Sequence, residues 1–250
     1  MDQFKESISG NIYFIETMGA FDGPGLRYVL FVQGCPLRCK FCHNRDSWST
    51  ETNRIMTVDD VWNDFNRYRN YYKRGGLTVS GGEPTLQIDF VTALFKRFKA
   101  EGIHTCLDTS AGIYSTSSDK KHRELLQYTD LVLLDIKHID DQAHRELVGI
   151  SNKQVLKFAQ LLDELKVPTI IRHVLLPTIN DDETNLTNLR KYLDQLQNIV
   201  GIDILPYHKA GTIKWEKLGL RYELGHINEP TEEQVAFATH ILKDNYHYMK

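Results

Sequence analysis

Short runs of apolar and β-branched residues alternate along the chain with longer segments whose apolar positions recur every three or four residues. The runs at 26–32, 77–80, 103–107, 131–136, 169–176 and 202–205 read as strands. Most are apolar on both faces, the pattern of parallel strands covered by helices. Helical periodicity fills the intervals. The stretch 58–74 follows Thr57, a residue suited to cap a helix N-terminus. Phe90, Val91, Leu94, Phe95 and Phe98 form one apolar stripe, ended by Gly102. Leu186, Leu189, Leu193 and Leu196 form another, and 118–128, 155–166 and 232–246 read the same way. Repeated strand–helix units predict an α/β fold with a parallel sheet. Six strands rather than eight predict an open, partial (β/α)6 TIM-like barrel; a doubly wound sheet is the alternative. With no low-complexity linker, charge run or break in composition, residues 1–250 read as a single domain.

Composition narrows the class of protein. Hydrophobic residues are 41% and charged residues 25% of the 250, which excludes a disordered, collagenous or coiled-coil chain. Lys and Arg total 30 against 33 Asp and Glu, a net charge of −3, so bulk charge draws neither nucleic acid nor membrane. No apolar run approaches the roughly 20 residues of a membrane span. Residues 1–7 lack the apolar core of a signal peptide, and the expected location is cytoplasmic. Four cysteines stand at 35, 39, 42 and 106. In a reducing compartment, a cluster such as the first three holds a metal more often than a disulfide.

The cluster lies in Gly34-Cys35-Pro36-Leu37-Arg38-Cys39-Lys40-Phe41-Cys42-His43-Asn44, directly after the first predicted strand. Short spacers keep three sulfurs near one another, so a single loop can wrap three corners of an iron–sulfur cube and leave one iron open. A structural zinc site is the second reading, with His43 or Cys106 as fourth ligand, though the usual second cysteine arm is absent. An inert group of thiols is the third.

Polar residues recur where the predicted strands end. Ser80-Gly81-Gly82-Glu83 precedes Pro84; its glycines allow close approach of backbone to a ligand, or simply a tight turn. His104, Cys106 and Asp108 alternate and should share a face. Asp108, with Thr109, either binds a ligand or cation or caps a turn; Cys106 reads as a buried free thiol. Asp135 and Lys137 end an apolar run, where unpaired charges would be costly. They pair with each other or contact a ligand. Arg172 and His173 interrupt the fifth strand; a guanidinium facing the barrel suits a carboxylate, and His173 reads as packed on the other side. His208 follows the sixth strand. Asp22-Gly23-Pro24-Gly25 precedes the first, as a binding loop or a plain turn. C-terminal strand ends are where β/α barrels assemble active sites. No P-loop, dinucleotide-binding glycine pattern or serine-nucleophile motif competes.

Taken together, these blocks resemble the radical S-adenosylmethionine superfamily and, within it, the activases of glycyl radical enzymes. The resemblance rests on the cysteine spacing with Phe41 before the last cysteine, on Asp22-Gly23-Pro24-Gly25-Leu26-Arg27 and on Cys42-His43-Asn44-Arg45-Asp46. It extends to Ser80-Gly81-Gly82-Glu83, Gly102-Ile103-His104-Thr105-Cys106-Leu107-Asp108-Thr109, Leu134-Asp135-Ile136-Lys137 and Leu205-Pro206-Tyr207-His208. It implies a partial (β/α)6 barrel and a 4Fe–4S cluster on Cys35, Cys39 and Cys42. S-adenosylmethionine would chelate the fourth iron. One electron would cleave it to methionine and a 5′-deoxyadenosyl radical, which takes a hydrogen atom from a backbone glycine of a partner enzyme. Cofactor contacts are implied for Phe41, His43, Asn44, Ser80, Gly81, Gly82, Glu83, Asp108, Asp135, Lys137, Arg172 and His208. A monovalent cation is implied at Asp108, Thr109 and Asp135, and a substrate peptide at Asp22, Gly23, Pro24, Gly25 and His43. The implied partners are pyruvate formate-lyase as substrate and flavodoxin or ferredoxin as electron donor, with the chain a monomer working without oxygen. Arg38 and Lys40, beside the cluster, are candidates for docking the donor. With one cysteine left over, no auxiliary cluster fits.

Overall fold

A computed structural model describes residues 8–243. One sheet carries eight strands: β1 (Ser9–Gly19), β2 (Arg27–Val32), β3 (Arg54–Thr57), β4 (Gly76–Gly81), β5 (His104–Thr109), β6 (Leu131–Asp135), β7 (Thr169–Leu175) and β8 (Ile199–Pro206). Their order is β3-β1-β2-β4-β5-β6-β7-β8. From β2 to β8 every neighbouring pair is parallel, and these are the six predicted strands. Strands β1 and β3, not predicted, extend the sheet by antiparallel pairing. The sheet ends at β3 and β8 without closing.

Among the described residues eight α-helices accompany it: α1 (Val58–Asn66), α2 (Ile88–Ala100), α3 (Asp119–Leu126), α4 (Asp141–Val148), α5 (Lys153–Glu164), α6 (Glu183–Leu193), α7 (Thr212–Lys217) and α8 (Glu232–Lys243). The choice between barrel and doubly wound sheet is made by where the side chains go. Tyr28, Leu30, Leu77, Val79, Leu107, Val132, Leu134 and Ile171 point to one face and share a single core with the apolar stripes of α1, α2, α3, α5, α6 and α8. The alternate positions Cys106, Leu131, Leu133 and Ile170 form a separate small cluster on the other face. Helices thus cover one face only, and the sheet curls around the other, as in a partial barrel.

Local chemistry sets the helix limits. Thr57 caps α1 in a capping box: its Oγ1 accepts from Asp60 N at 3.1 Å while Asp60 Oδ2 accepts from Thr57 N at 2.9 Å. The predicted helix 58–74 stops at Asn66, and a 3-10 turn at Arg69–Tyr72 follows. Tyr72 is drawn aside there, packing on Phe65 and Tyr28 and donating its hydroxyl to Thr17 O at 2.8 Å. Leu196 lies beyond the end of α6 yet stays buried. Short α4 and α7 were not predicted, and residues 244–246 of the stretch 232–246 lie outside the described residues, as do 1–7. No helix among the described residues is long and apolar enough to cross a membrane.

Candidate active site

The cysteine loop leaves β2 at Gly34 and is anchored in two ways. Leu37, Cys39 and Phe41 are buried against Leu147 and Val148 of α4, Leu176, Tyr207, Leu224 and Ile227. The backbone N–H groups of Arg38 and Lys40 donate to Val148 O and Leu147 O at 2.8 and 3.0 Å. Those carbonyls belong to the last turn of α4, where a helix leaves acceptors unused. Burial pushes the Cys35 thiol up to about 12 and raises Cys39 and Cys42 as well. Such thiols stay protonated at neutral pH unless positive charge holds them as thiolates. A sulfur-only donor set of this kind fits iron. Among the described residues the fourth ligand of a zinc site is lacking. Cys106 sits in the barrel interior, and His43 lies against the His208 ring at 4.3 Å with its Nε2 on His208 O at 3.1 Å. Among the described residues no three His, Cys, Asp or Glu side chains converge on a single ion.

The loop forms one wall of a cavity of about 570 Å³ at the C-terminal ends of the strands. Into it face Cys35, Cys39, Phe41, Cys42, His43 and Asn44 from the loop, and Ser80, Gly81 and Gly82 from β4 and its end. Asp108 and Thr109 from β5, Asp135 and Lys137 from β6 and beyond, Arg172 from β7 and His208 after β8 complete the ring. Arg172 does point inward, and His173 is fully buried with its Nδ1 donating to Ile136 O at 2.7 Å.

The charges in the cavity are paired. Arg172 Nη1 donates to Asp108 Oδ2 at 3.1 Å, and Ser80 Oγ donates to the same oxygen at 2.7 Å. Lys137 Nζ donates to Asp135 Oδ2 at 2.9 Å, the mutual pairing that the strand register allowed. Burial raises the Asp108 carboxyl, with the Arg172 charge opposing. For Arg172 burial works against the charge, but Asp108, Asp135 and Asp22 prevail and hold it above its ordinary value. Lys137 is likewise held charged, by Asp135 and Cys39 against burial. Arg172 Nε is buried without a partner, a donor left over for a ligand acceptor such as a carboxylate.

The glycine pair packs on the strap that carries the cysteines and also lines the cavity. Gly81, at φ +122, and Gly82 press on the chain leading to the cysteines: a Cβ at Gly82 would meet Gly34 O at 2.0 Å. Gly82 N donates to Val32 O at 3.0 Å and Glu83 N to Gly34 O at 2.8 Å. The pair thus splices β4 to the loop, and it also exposes backbone to the cavity.

Glu83 does not line the cavity. It is fully buried, and both oxygens are committed. Oε1 accepts from Thr85 N, Thr85 Oγ1 and Thr109 Oγ1; Oε2 accepts from Ser110 N and Ser110 Oγ. The loop from β1 to β2 divides likewise. Asp22 reaches the cavity, and its carbonyl accepts from Thr78 Oγ1 at 2.7 Å inside the barrel. Gly23, Pro24 and Gly25 do not line it: Gly23 lies over Cys106, and Gly25, at φ +69, presses on Arg74 O. The loop therefore plugs the N-terminal end of the barrel and offers Asp22 as floor. Lys40 pairs with Glu223 at 3.4 Å, whereas Arg38 is exposed and bonds the loop's own Cys35 and Leu37 carbonyls.

Several residues escaped sequence reasoning. Phe21, Phe31, Trp48, Ser110 and Tyr207 also line the cavity. Lys214 of α7 donates to Asn44 Oδ1 at 2.9 Å and to Tyr13 OH at 2.7 Å, and Trp215 Nε1 to Cys42 O at 2.9 Å. The Trp48 indole, six residues past the last cysteine, was a signal available in the sequence; α7, 170 residues downstream of Asn44, was not.

Strand-end chemistry around a cysteine triplet in an open barrel defines a class, and comparison bears it out. The sequence model of the Radical SAM superfamily matches residues 29–189, and the chain belongs to that superfamily, whose cofactors are a 4Fe–4S cluster and S-adenosylmethionine. A radical SAM methyltransferase from Sphaerobacter thermophilus shares the fold at TM-score 0.62 and 16% identity, over 86% of this chain and 63% of that one. Within the superfamily, its relatives include pyruvate formate-lyase-activating enzymes. That of Staphylococcus epidermidis (strain ATCC 12228 / FDA PCI 1200) is 47% identical over 247 residues, 97% of this chain and 96% of its own. That of Staphylococcus aureus (strain USA300) is 47% identical over 236 residues, 92% and 94%. A crystallised domain of the pyruvate-formate lyase-activating enzyme from Bacteroides vulgatus matches at TM-score 0.57 and 27% identity, over 68% of this chain and 94% of that one.

Proposed function

We propose that this protein activates pyruvate formate-lyase under anaerobic conditions by generating a radical on a backbone glycine of that partner. The observation that carries this reading is the single cavity joining three cysteines, a glycine-lined backbone edge and a ring of paired charges. When bound, the cluster and S-adenosylmethionine supply reductive cleavage and hydrogen-atom abstraction, leaving methionine and 5′-deoxyadenosine.

The chain's own residues hold, orient and enclose. Cys35, Cys39 and Cys42 would hold the cluster through three of its irons. The Ser80–Gly82 edge and the spare Nε of Arg172 suit the carboxylate and amine of the ligand's amino-acid end. His208, His43, Phe41 and Asn44 border its nucleoside end, while Asp135 and Lys137 offer an acceptor and a donor to the ribose or carboxylate. Asp108, Thr109 and Asp135 are the candidates for a monovalent cation. Glu83 acts through Thr109 and Ser110, stiffening the turn after β5. Asp22 and His43, at the floor and rim, flank the path for the partner's glycine segment, and Gly23, Pro24 and Gly25 shape the plug that aims Asp22. The electron comes from flavodoxin or ferredoxin, and the working unit is a monomer in the cytoplasm, residues 1–250 acting as one domain.

The test is electron paramagnetic resonance on an anaerobic mixture of reconstituted protein, S-adenosylmethionine, a reductant and pyruvate formate-lyase. A glycyl radical that requires every component is the expected result. Cleavage to 5′-deoxyadenosine with no radical on the partner would keep the chemistry and overturn the substrate; neither signal from an iron-loaded protein would overturn both.

A further inference from the structure

Two indoles grip Cys42. Trp48 Nε1 donates to Cys42 Sγ at 3.3 Å, and Trp215 Nε1 donates to Cys42 O at 2.9 Å. The rings meet edge to face with centroids 5.7 Å apart, so each limits the other's rotation. Two cations lie over the Trp48 ring. The Arg45 guanidinium is 3.9 Å from its centroid and that of Arg38 is 4.8 Å away. Arg45 Nε is buried without an acceptor, and the same guanidinium lies 5.5 Å from the Trp215 ring.

A cation on an indole face draws electron density from the ring and makes its N–H a stronger donor. An N–H donated to a thiolate sulfur stabilises negative charge there. Reduction of an iron–sulfur centre adds one electron and raises the negative charge on its sulfurs, so such a bond favours the reduced state; hydrogen bonds to the sulfurs are among the terms that set these potentials. Trp48 is 8% exposed, so water competes little for the bond. We propose that Trp48 is a positioning residue that raises the reduction potential of the cluster through its N–H bond to Cys42 Sγ, and that Arg45 strengthens this bond by polarising the indole. The inference rests on the reading that Cys42 is a cluster ligand. The electron added is the one that the flavodoxin or ferredoxin donor delivers; in the test, dithionite supplies it.

The experiment uses the full chain, reconstituted anaerobically, as wild type, Trp48→Phe, Arg45→Gln and the double variant. Iron and acid-labile sulfide are counted first, and midpoint potentials follow from dithionite titrations monitored by electron paramagnetic resonance. Trp48→Phe keeps an aromatic ring and loses the donor. It should shift the reduction equilibrium about tenfold toward the oxidised form, about 59 mV more negative for a one-electron couple. Arg45→Gln should shift it in the same direction by less, and its effect should shrink in the Trp48→Phe background. A loaded Trp48→Phe with the wild-type potential would overturn the proposal. An Arg45 effect equal in both backgrounds would overturn the polarisation through the ring. Should Trp48→Phe take up no iron, electron spin-echo modulation of wild type carrying indole-15N tryptophan decides: a 15N coupling to the reduced cluster supports the proposal and its absence overturns it. Wild type without iron and sulfide would instead overturn the cofactor reading.

Discussion

Replacing Glu83 by Gln tests whether this carboxylate is a ligand group or a strut. Its five donors come from Thr85, Thr109 and Ser110, and backbone N–H groups stand at both oxygens: Thr85 N on Oε1 at 3.1 Å and Ser110 N on Oε2 at 3.0 Å. An amide therefore cannot be turned to suit both sides. Whichever oxygen becomes NH₂ faces a buried N–H, and one such donor left unsatisfied costs about 1–3 kcal/mol. The hydroxyls can rotate, but the remaining bonds lose their charge assistance, roughly half their strength. Together these put the loss near 3 kcal/mol, and for a chain of this size about 2–4 °C is lost per kcal/mol. A fall of roughly 6–12 °C is expected in the melting temperature of the metal-free protein, followed by circular dichroism under reducing conditions. S-adenosylmethionine affinity, measured well below the transition on reconstituted protein, should change less than a ligand contact would require. A melting temperature within a degree or two of wild type, with affinity lost, would refute the strut and restore Glu83 as a contact.

Three further outcomes follow from the same geometry. Cys39→Ala should abolish iron and sulfide uptake while the circular dichroism spectrum persists, because Cys39 contributes one small side chain to its apolar cluster; retained iron would contradict the ligand set. Gly82→Ala puts a methyl 2.0 Å from Gly34 O and must displace the strap that carries the cysteines. A loss of about 1–3 kcal/mol with reduced iron content is expected, and wild-type values for both would refute the splice. Burial lowers the pKa of His173 to about 4, below the unfolded value, so its neutral form stabilises the fold above about pH 6.5 and that stability is lost as pH falls toward 4. Unfolding free energies from urea titrations should drop between pH 7 and pH 5 by about 2 kcal/mol from this group alone, and His173→Phe should flatten that slope.

What the sequence disclosed divides by physical cause. The six parallel strands were legible because burial on both faces writes them as unbroken apolar runs. Strand β1 was missed because its register against β2 slips between Ile12 and Phe14 and again after Glu16: Ile12 is buried while Phe14 and Met18 are exposed, which breaks both the run and the alternation. Strand β3 is four residues at an edge. Helix α7 has only six residues, too few for a periodicity to register. In the site, strand-end polar residues were legible because charge is expensive beside an apolar run. What could not be read was which of them spend their capacity on one another. Asp135 with Lys137 and Asp108 with Arg172 are pairings set by strand register and side-chain reach. Glu83 stands beside the same glycines yet turns away from the cavity, a difference that lies in Thr85, Thr109 and Ser110 and not in its own neighbourhood in sequence.

The two ends of the barrel show why one of them is built for a ligand. Each holds an inward-facing arginine on parallel strands. Arg27, at the N-terminal end, is fully buried and its acceptors belong to the protein: Nε donates to Thr78 Oγ1 at 2.9 Å, Nη2 to Leu77 O at 2.6 Å, and Nη1 lies 3.1 Å from His104 Nδ1. Burial and the Arg27 charge lower His104 to about 4, so the ring is neutral and able to accept. Arg172, at the other end, has one carboxylate bond and a buried Nε with none. A buried donor without an acceptor costs about 1–3 kcal/mol unless something fills the place. A ligand carboxylate would remove that cost, whereas one offered to Arg27 would have to displace bonds already made. The plug at Asp22-Gly23 covers the saturated end and leaves the unsaturated end open beside the cysteines, so an incoming carboxylate meets an unfilled donor at the cysteine end and a filled one at the other.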